Sequence, residues 1–221
     1  MHNIAVIWDM DGVIIDSIPL HYEAWKRAFS NYGVDYSIAV GEKPFGHSRT
    51  IKSVFSNISN AKVSEIAGKK EQAFKQLLNQ GSIEAQSGVL RLIKELQSIG
   101  IRLALASSNS IEIISIILEA LAIIKYFDII ISSEDVKNPK PHPEIYLKAL
   151  SGLGVTPENA CVIKDMPACI AAVKAAGIHC IAVATNHSRE KLKEADMVVN
   201  SISELTAQDV ISVVCGNNGI I

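Results

Sequence analysis

Short apolar runs and longer segments of helical periodicity alternate along most of this chain. Six of the runs have the length and the branched, apolar composition of buried strands. They are Ile4–Trp8, Arg102–Ala106, Asp128–Ile131, Ala160–Ile163, His179–Ala184 and Met197–Val199. Helical periodicity fills five intervening segments, Val89–Ser98, Ile111–Leu121, Pro143–Leu153, Ala168–Ala176 and Arg189–Ala195. This alternation predicts an α/β fold with a parallel sheet and right-handed crossovers.

One segment, from Ser17 to about Ala85, breaks the alternation because it has helical periodicity but no buried strand. Three apolar faces recur in it at helical spacing: Tyr22, Trp25, Ala28 and Phe29; Ile51, Val54 and Phe55; Ile66, Ala73, Phe74, Leu77 and Leu78. We predict that residues 17–85 form a helical cap subdomain, inserted into an α/β core made of residues 1–16 and 86–221. An insertion that leaves the sheet beside Asp9 is expected to cover the sheet edge as a lid.

Composition narrows the classes of function. The 221 residues carry a formal net charge of −2 without a basic stripe, so we expect no nucleic-acid partner. No apolar run reaches the roughly 18 residues that a membrane span needs, and the N-terminus has no signal-peptide pattern. The four cysteines lie in the last third of the chain without metal-ligand spacing. Cys161, Cys169 and Cys180 have apolar surroundings, which are typical of small buried residues. We therefore expect a cytoplasmic protein.

The stretch Asp9-Met10-Asp11-Gly12-Val13 follows the first apolar run directly. Its two carboxylates are expected at the C-terminal end of a strand, where open α/β sheets bind their ligands. Such a pair suits a divalent cation, or a nucleophile beside a general acid. The alternative is an acidic turn that merely ends a strand.

Three further strand ends carry polar residues. Ser107-Ser108-Asn109-Ser110 can form an anion site, although Ser110 is expected to cap the next helix. Lys140 lies in a loop between prolines, where it is either a held phosphate-binding cation or a solvated residue. Asp165 is either a metal ligand or a helix cap. Taken together, these residues can converge on one Mg²⁺ ion and one phosphoryl group.

In these residues the sequence resembles the haloacid dehalogenase (HAD) superfamily of phosphohydrolases and phosphomutases. The resemblance spans nearly the whole chain and implies a Rossmann-like α/β core with an inserted α-helical cap. It implies that Asp9 is the nucleophile that forms an aspartyl-phosphate and that Asp11 is the general acid and base. Mg²⁺ would be held by the side chains of Asp9 and Asp165 and the main-chain carbonyl of Asp11. Ser107 and Lys140 would bind phosphoryl oxygens, and Ser108 and Asn109 belong to the same substrate-binding stretch.

Within the superfamily, the sequence looks like the branch of β-phosphoglucomutase and related sugar-phosphate phosphatases. The stretch Asp16–His21, continuing to Trp25, resembles the linker and first cap helix of that branch, which implies that His21 and Trp25 take part in substrate binding. Gly46 and Arg49 resemble its substrate loop, in which the arginine grips a distal phosphate, and Lys70 stands where the mutases carry a cap lysine. His21 and Arg49 have plainer interpretations, as a hinge residue and a solvated charge.

Three positions depart from the mutase pattern. Phe45 and Ser110 each replace a lysine, which weakens the grip on a distal phosphate. Lys164 stands before Asp165, where relatives have Glu or Gly, and a cation there opposes metal binding unless its side chain points away or pairs with an acid.

The first prediction is therefore a Mg²⁺-dependent phosphatase acting on a small phosphorylated metabolite, a sugar phosphate, as a monomer. The alternatives are a β-phosphoglucomutase-like phosphotransferase and a phosphometabolite-binding protein with weak turnover. Haloacid dehalogenation is disfavoured, because Asp11 and Asp165 resemble a metal site that such chemistry does not use.

Overall fold

A computed structural model describes residues 4–36, 47–55 and 57–216, and these residues contain one six-stranded parallel sheet. The strands are β1 (Ala5–Trp8), β2 (Arg102–Ala106), β3 (Ile129–Ile131), β4 (Ala160–Lys164), β5 (His179–Val183) and β6 (Met197–Val199). Their order across the sheet is β3-β2-β1-β4-β5-β6. The predicted α/β class, the parallel sheet and all six strands are confirmed.

The strand order reverses between β1 and β4, which is the crevice where doubly wound sheets bind ligands. The register there is explicit: Trp8 of β1 pairs with Leu105 of β2 on one side and with Ile163 of β4 on the other. Asp9 therefore follows β1 at the level of Lys164, and its N–H donates to the Ile163 carbonyl over 3.2 Å.

Eight α-helices are described. They are α1 (Ile18–Ser30), α2 (His47–Val54), α3 (Asn60–Gln80), α4 (Val89–Ser98), α5 (Ile111–Ala120), α6 (Glu144–Leu153), α7 (Pro167–Ala175) and α8 (Ala207–Cys215). Because side chains alternate across a strand, Ala5 and Ile7 of β1 point to one face. There they join a buried core with residues of α6 and α7, including Tyr146 and Ile170.

Two segments differ from the sequence prediction. Arg189–Leu192 is a short 3-10 helix rather than the predicted α-helix over 189–195. Of those four residues only Leu192 is buried, so the segment has no apolar face that would hold a longer helix. Helix α8 was not predicted, although Thr206 and Asp209 form a capping box at its start.

Contacts divide the chain into two compact units, Met1–Asp16 with Ile83–Ile221, and Ser17–Ser82. The second unit has its own core, in which Trp25 and Phe29 of α1 pack with Tyr36 and with Ile66 of α3. The Trp25 and Phe29 rings stack with their centroids 5.3 Å apart. Its interior is therefore built from the aromatic face of α1 and the facing side of α3.

All four cysteines are free thiols, and Cys161, Cys169 and Cys180 are buried as predicted. Among the described residues, no helix combines the length and the apolar character that crossing a membrane requires.

Candidate functional site

Asp9 lies at the C-terminal end of β1 and its carboxylate is 4% exposed. Each of its oxygens faces a lysine ammonium: Oδ1 lies 2.8 Å from Lys140 Nζ, and Oδ2 contacts Lys164 Nζ. A buried carboxylate is tolerated only when its charge is compensated, and here two cations compensate it. The two ammonium groups therefore offset the negative charge of this buried carboxylate.

Lys140 enters the site from the loop before α6. Its Nζ donates to Asp9 Oδ1 and to the main-chain carbonyl of Ala106, both over 2.8 Å, and lies 5.3 Å from the centre of the Tyr146 ring. Burial lowers the pKa of Lys140 below its ordinary value, and the negative charges of Asp11 and Asp165 oppose that shift. Lys140 is thus a held cation, not the solvated lysine of the alternative interpretation.

Asp11, Asn109 and Ser107 form a second group at the same edge. Asn109 Nδ2 donates to Asp11 Oδ2 over 2.6 Å and to Ser107 Oγ over 3.2 Å. The main-chain N–H of Asn109 also donates to Ser107 Oγ over 3.2 Å. Since a hydroxyl has two acceptor positions and one donor, these bonds leave the Ser107 O–H hydrogen for another partner.

The two other serines of that stretch differ in placement. Ser108 is exposed, between the buried Ser107 and Asn109. Ser110 occupies the N-cap position of α5, but the expected side-chain cap is wrong because no such hydrogen bond forms there. Instead, the Glu134 carboxylate accepts a hydrogen bond from the N–H of Ile111 over 3.0 Å, which satisfies a free N–H group in the first turn of α5.

Asp165 follows β4 and is 4% exposed. Its Oδ2 accepts a hydrogen bond from Asn186 Nδ2 over 3.2 Å and lies against Gly12, where an added Cβ would come within 2.0 Å of it. Gly12 also has φ of +75°, a conformation that favours glycine. The carboxylate is therefore fixed on one side by the glycine of the first motif, and its helix-cap alternative is wrong because Met166 is the N-cap of α7.

Two residues at this edge were missed from the sequence. Asn186 holds Asp165, and Thr185 Oγ1 donates to the Gly12 carbonyl over 2.9 Å. Both follow β5, whose strand end is adjacent to that of β4. The polar pair Thr-Asn after a predicted strand is the signal that indicates them.

Lys164 is the last residue of β4 and its side chain is 5% exposed. Its ammonium contacts Asp9 Oδ2 and lies 3.4 Å from Asp165 Oδ1. That Asp165 oxygen is buried and has no hydrogen-bond partner among the described residues. Lys164, which precedes Asp165 in the sequence, therefore pairs with both of the carboxylates that were expected to bind the metal, Asp9 and Asp165.

The fit of Mg²⁺ to this site follows from these contacts. A divalent ion would need the Asp9 and Asp165 carboxylates, and Lys164 Nζ takes up the space between their facing oxygens. Within the described ranges, no three His, Cys, Asp or Glu side chains are grouped so as to hold a metal ion. With Lys164 in this position the residues do not fit Mg²⁺.

The expected substrate residues of the cap fall into three groups. His21 Nδ1 lies 2.8 Å from Lys70 Nζ, and the His21 ring stacks on Phe74 at 4.1 Å. His21 and Lys70 are therefore in direct contact within the Ser17–Ser82 unit.

Trp25 is 3% exposed inside the core of its own unit, which leaves its ring no surface for the substrate contact expected of it. Gly46 and Phe45 lie outside the described residues, as does the side chain of Arg49.

Chemically, the core edge offers a buried carboxylate between two ammonium groups, a second carboxylate held by an amide, and a buried hydroxyl with a hydrogen to donate. Two cations beside one carboxylate suit the transfer of a dianionic group, because they offset the charge that approaches it.

The known proteins that this chain resembles are consistent with such a site. A family model described as haloacid dehalogenase-like hydrolase matches residues 6–183. The chain is 35% identical over 185 residues to a phosphorylated carbohydrates phosphatase of Thermotoga maritima, covering 79% of this chain and 82% of that protein. It is 30% identical to the validoxylamine A 7'-phosphate phosphatase of Streptomyces hygroscopicus subsp. limoneus, covering 93% and 96%. The structure of β-phosphoglucomutase from Clostridium difficile superposes with a TM-score of 0.82 at 28% identity, over 97% of this chain and 98% of that one.

Proposed function

Since the chain belongs to the haloacid dehalogenase-like hydrolase family, we propose that it is a phosphatase of a small phosphorylated metabolite, a sugar phosphate. The observation that carries the proposal is the buried Asp9 carboxylate with an ammonium group on each oxygen. Relatives named as phosphatases of phosphorylated sugars and sugar-like compounds support the substrate class.

In the first step an oxygen of Asp9 attacks phosphorus and the ester oxygen leaves. Asp11 supplies the proton that the leaving alcohol needs, and the Asn109 amide positions its carboxylate. In the second step water attacks the phosphorus of the aspartyl-phosphate, Asp11 takes up its proton, and inorganic phosphate leaves. The balance is one phosphate ester and one water consumed, with one alcohol and one phosphate released.

Charge on the transferred group is neutralised by side chains already at the edge. Lys140 is held against Asp9 Oδ1 and can bridge to a phosphoryl oxygen, and the Ser107 O–H can donate to another. Neither step uses the Mg²⁺ that the family resemblance implies, because Lys164 lies between the carboxylates that would hold it.

The test is a phosphate-release screen over sugar phosphates and p-nitrophenyl phosphate, with and without Mg²⁺, comparing the wild type with Asp9→Asn. Release by the wild type and background release by Asp9→Asn would support the proposal. Asp196→Asn is the matched control. Asp196 is a carboxylate that lies away from the reacting edge and forms an ion pair with Lys174, with 2.6 Å between Oδ1 and Nζ. No release from any ester would leave a phosphometabolite-binding protein as the better hypothesis.

A β-phosphoglucomutase-like transferase is the second candidate. The Lys70–His21 pair and the similarity to a β-phosphoglucomutase structure favour it. It differs only in the acceptor, because a sugar hydroxyl replaces water in the second step. Incubation with β-glucose 1-phosphate and trace bisphosphate separates the two: formation of glucose 6-phosphate without free phosphate would refute the phosphatase proposal.

We further propose a cytoplasmic monomer. The four free thiols suit a reducing compartment. Light scattering coupled to size-exclusion chromatography measures the mass directly, to be compared with 23.9 kDa for one chain.

A further inference from the structure

Lys164 is placed beside Asp9 by the register of the sheet. Ile163 of β4 pairs with Trp8 of β1, so the next residues of the two strands, Lys164 and Asp9, meet at the same edge. On its other side Lys164 pairs with Ala182 of β5. Its position beside the nucleophile is thus set by the backbone of three neighbouring strands.

The ammonium bridges two carboxylates that are otherwise held in place. It contacts Asp9 Oδ2 and lies 3.4 Å from Asp165 Oδ1, while Asn186 and Gly12 fix the other oxygen of Asp165. A divalent cation shared by Asp9 and Asp165 would need these same two oxygens. The side chain is 5% exposed, so withdrawing it would leave two buried carboxylates facing each other.

The charge at this edge is nearly balanced within the protein itself. Because Asp11 carries the proton that it donates in the first step, Asp9 and Asp165 contribute two negative charges, and Lys140 and Lys164 contribute two positive ones. A Gly or Glu at position 164 would leave one or two more negative than positive charges to be offset. A divalent ion offsets such an excess, and the lysine removes most of the need for one.

We propose that the Lys164 ammonium is the built-in cation of this site and takes the place of a divalent metal ion. This proposal rests on the phosphatase function proposed above. An ammonium has three N–H donors, and the Lys164 ammonium contacts Asp9 Oδ2 and forms an ion pair with Asp165 Oδ1 at 3.4 Å. An N–H that is not engaged by Asp9 is assigned to an oxygen of the incoming phosphoryl group, so Lys164 and Lys140 hold that group between them. Phosphate release is then independent of added divalent metal.

The first experiment measures metal binding and needs no substrate. The wild type, Lys164→Gly and Lys164→Glu are titrated with Mn²⁺, and bound metal is followed by electron paramagnetic resonance. We expect Lys164→Gly and Lys164→Glu to bind one Mn²⁺ about 10- to 100-fold more tightly than the wild type, and Asp165→Asn to abolish that gain. Lys174→Met is the matched control and should bind like the wild type.

The second experiment measures phosphate release from the best ester of the screen, after dialysis against EDTA. We expect the wild type to keep its rate without metal and Lys164→Gly to depend on added Mg²⁺. Lys164→Arg retains the charge and should remain insensitive to EDTA. Should Lys164→Gly fail to fold, the wild-type and Lys164→Arg measurements still decide the question.

Two results would overturn the proposal. One is a single Mn²⁺ site in the wild type as tight as in Lys164→Gly, and the other is wild-type turnover that EDTA abolishes and Mg²⁺ restores. The second result would leave the phosphatase function intact. Conversely, a protein that hydrolyses no ester but gains a Mn²⁺ site in Lys164→Gly would refute the phosphatase and keep the cation assignment.

Discussion

Lys140 gives the sharpest test of the charge arrangement, through the substitution Lys140→Met. Its ammonium lies 2.8 Å from Asp9 Oδ1, and both side chains are nearly inaccessible, at 8% and 4% exposure. At an effective dielectric constant of about 20, that separation corresponds to an attraction of about 6 kcal/mol before desolvation. Breaking a buried pair costs about 3–5 kcal/mol. Because Asp9 keeps its contact with Lys164, we expect Lys140→Met to lower the free energy of unfolding by about 3 kcal/mol.

The same substitution removes a cation from the proposed phosphoryl site. Loss of one group that stabilises charge in the transition state lowers kcat by about 10²- to 10³-fold. Lys140→Met should therefore lose both stability and turnover, while Lys140→Arg should recover much of the stability.

The measurements are urea unfolding followed by tryptophan fluorescence, and phosphate release at saturating substrate. Lys174→Met is the control, since its ion pair with Asp196 is 39% exposed on the lysine side and is worth at most about 1 kcal/mol. A double-mutant cycle with Asp9→Asn should give a coupling free energy of about 1–3 kcal/mol. A change below about 0.5 kcal/mol for Lys140→Met, with coupling near zero, would refute the reasoning.

Three further predictions concern the fold. Gly12→Ala should destabilise by about 1–3 kcal/mol more than Gly154→Ala, because both have positive φ but only the Cβ at Gly12 meets Asp165, at 2.0 Å; equal losses in urea unfolding would contradict this. Asp135→Asn should lose about 1 kcal/mol, since the Asp135 carboxylate accepts from the Ser132 N–H and O–H, which lower its pKa below 3.8. That stabilisation is present above pH 3.8 and lost as pH falls through the folded pKa, so wild type and variant should converge in acid and differ at neutral pH in thermal melts. Phe29→Ala should cost about 3–5 kcal/mol, because the ring is fully buried in the core of the Ser17–Ser82 unit; calorimetry should show the loss, and an unchanged transition would contradict it.

The sequence predicted the sheet well because its strands are short, apolar and bounded by polar residues at each end. Helix α8 was not predicted because many of its residues are β-branched and fit a strand equally well by local preference. These residues are Val210, Ile211, Val213 and Val214. Packing against the sheet decides its state, and its capping box is the local sign of a helix. The helix expected over 189–195 shows the opposite error, since helix-forming residues without an apolar face gave only a short 3-10 turn.

At the site, the sequence indicated the strand-end residues because parallel strands bring their carboxyl ends to one edge. Asp9, Asp11, Ser107, Lys140 and Asp165 all follow from that rule together with the family resemblance. The direction of the Lys164 side chain could not be predicted in this way. Whether that side chain points away or pairs with an acid depends on three-dimensional contacts. Trp25 was assigned to the substrate from the motif alone, although helical periodicity already placed it on the apolar face of α1 that is buried.

The three buried thiols have a consequence for following the motions of the sheet. Cys161 and Cys180 lie in β4 and β5 with no exposed surface, and Cys169 in α7 is 3% exposed. A thiol reagent can reach them only when these elements separate, whereas Cys215 at the end of α8 is partly accessible in the folded state. In the unmodified chain, fast labelling of Cys215 therefore serves as a reference for the slow labelling of the three buried cysteines. The slow signal reports the free energy of opening around β4 and β5, the strands whose ends carry Lys164, Asp165 and Asn186.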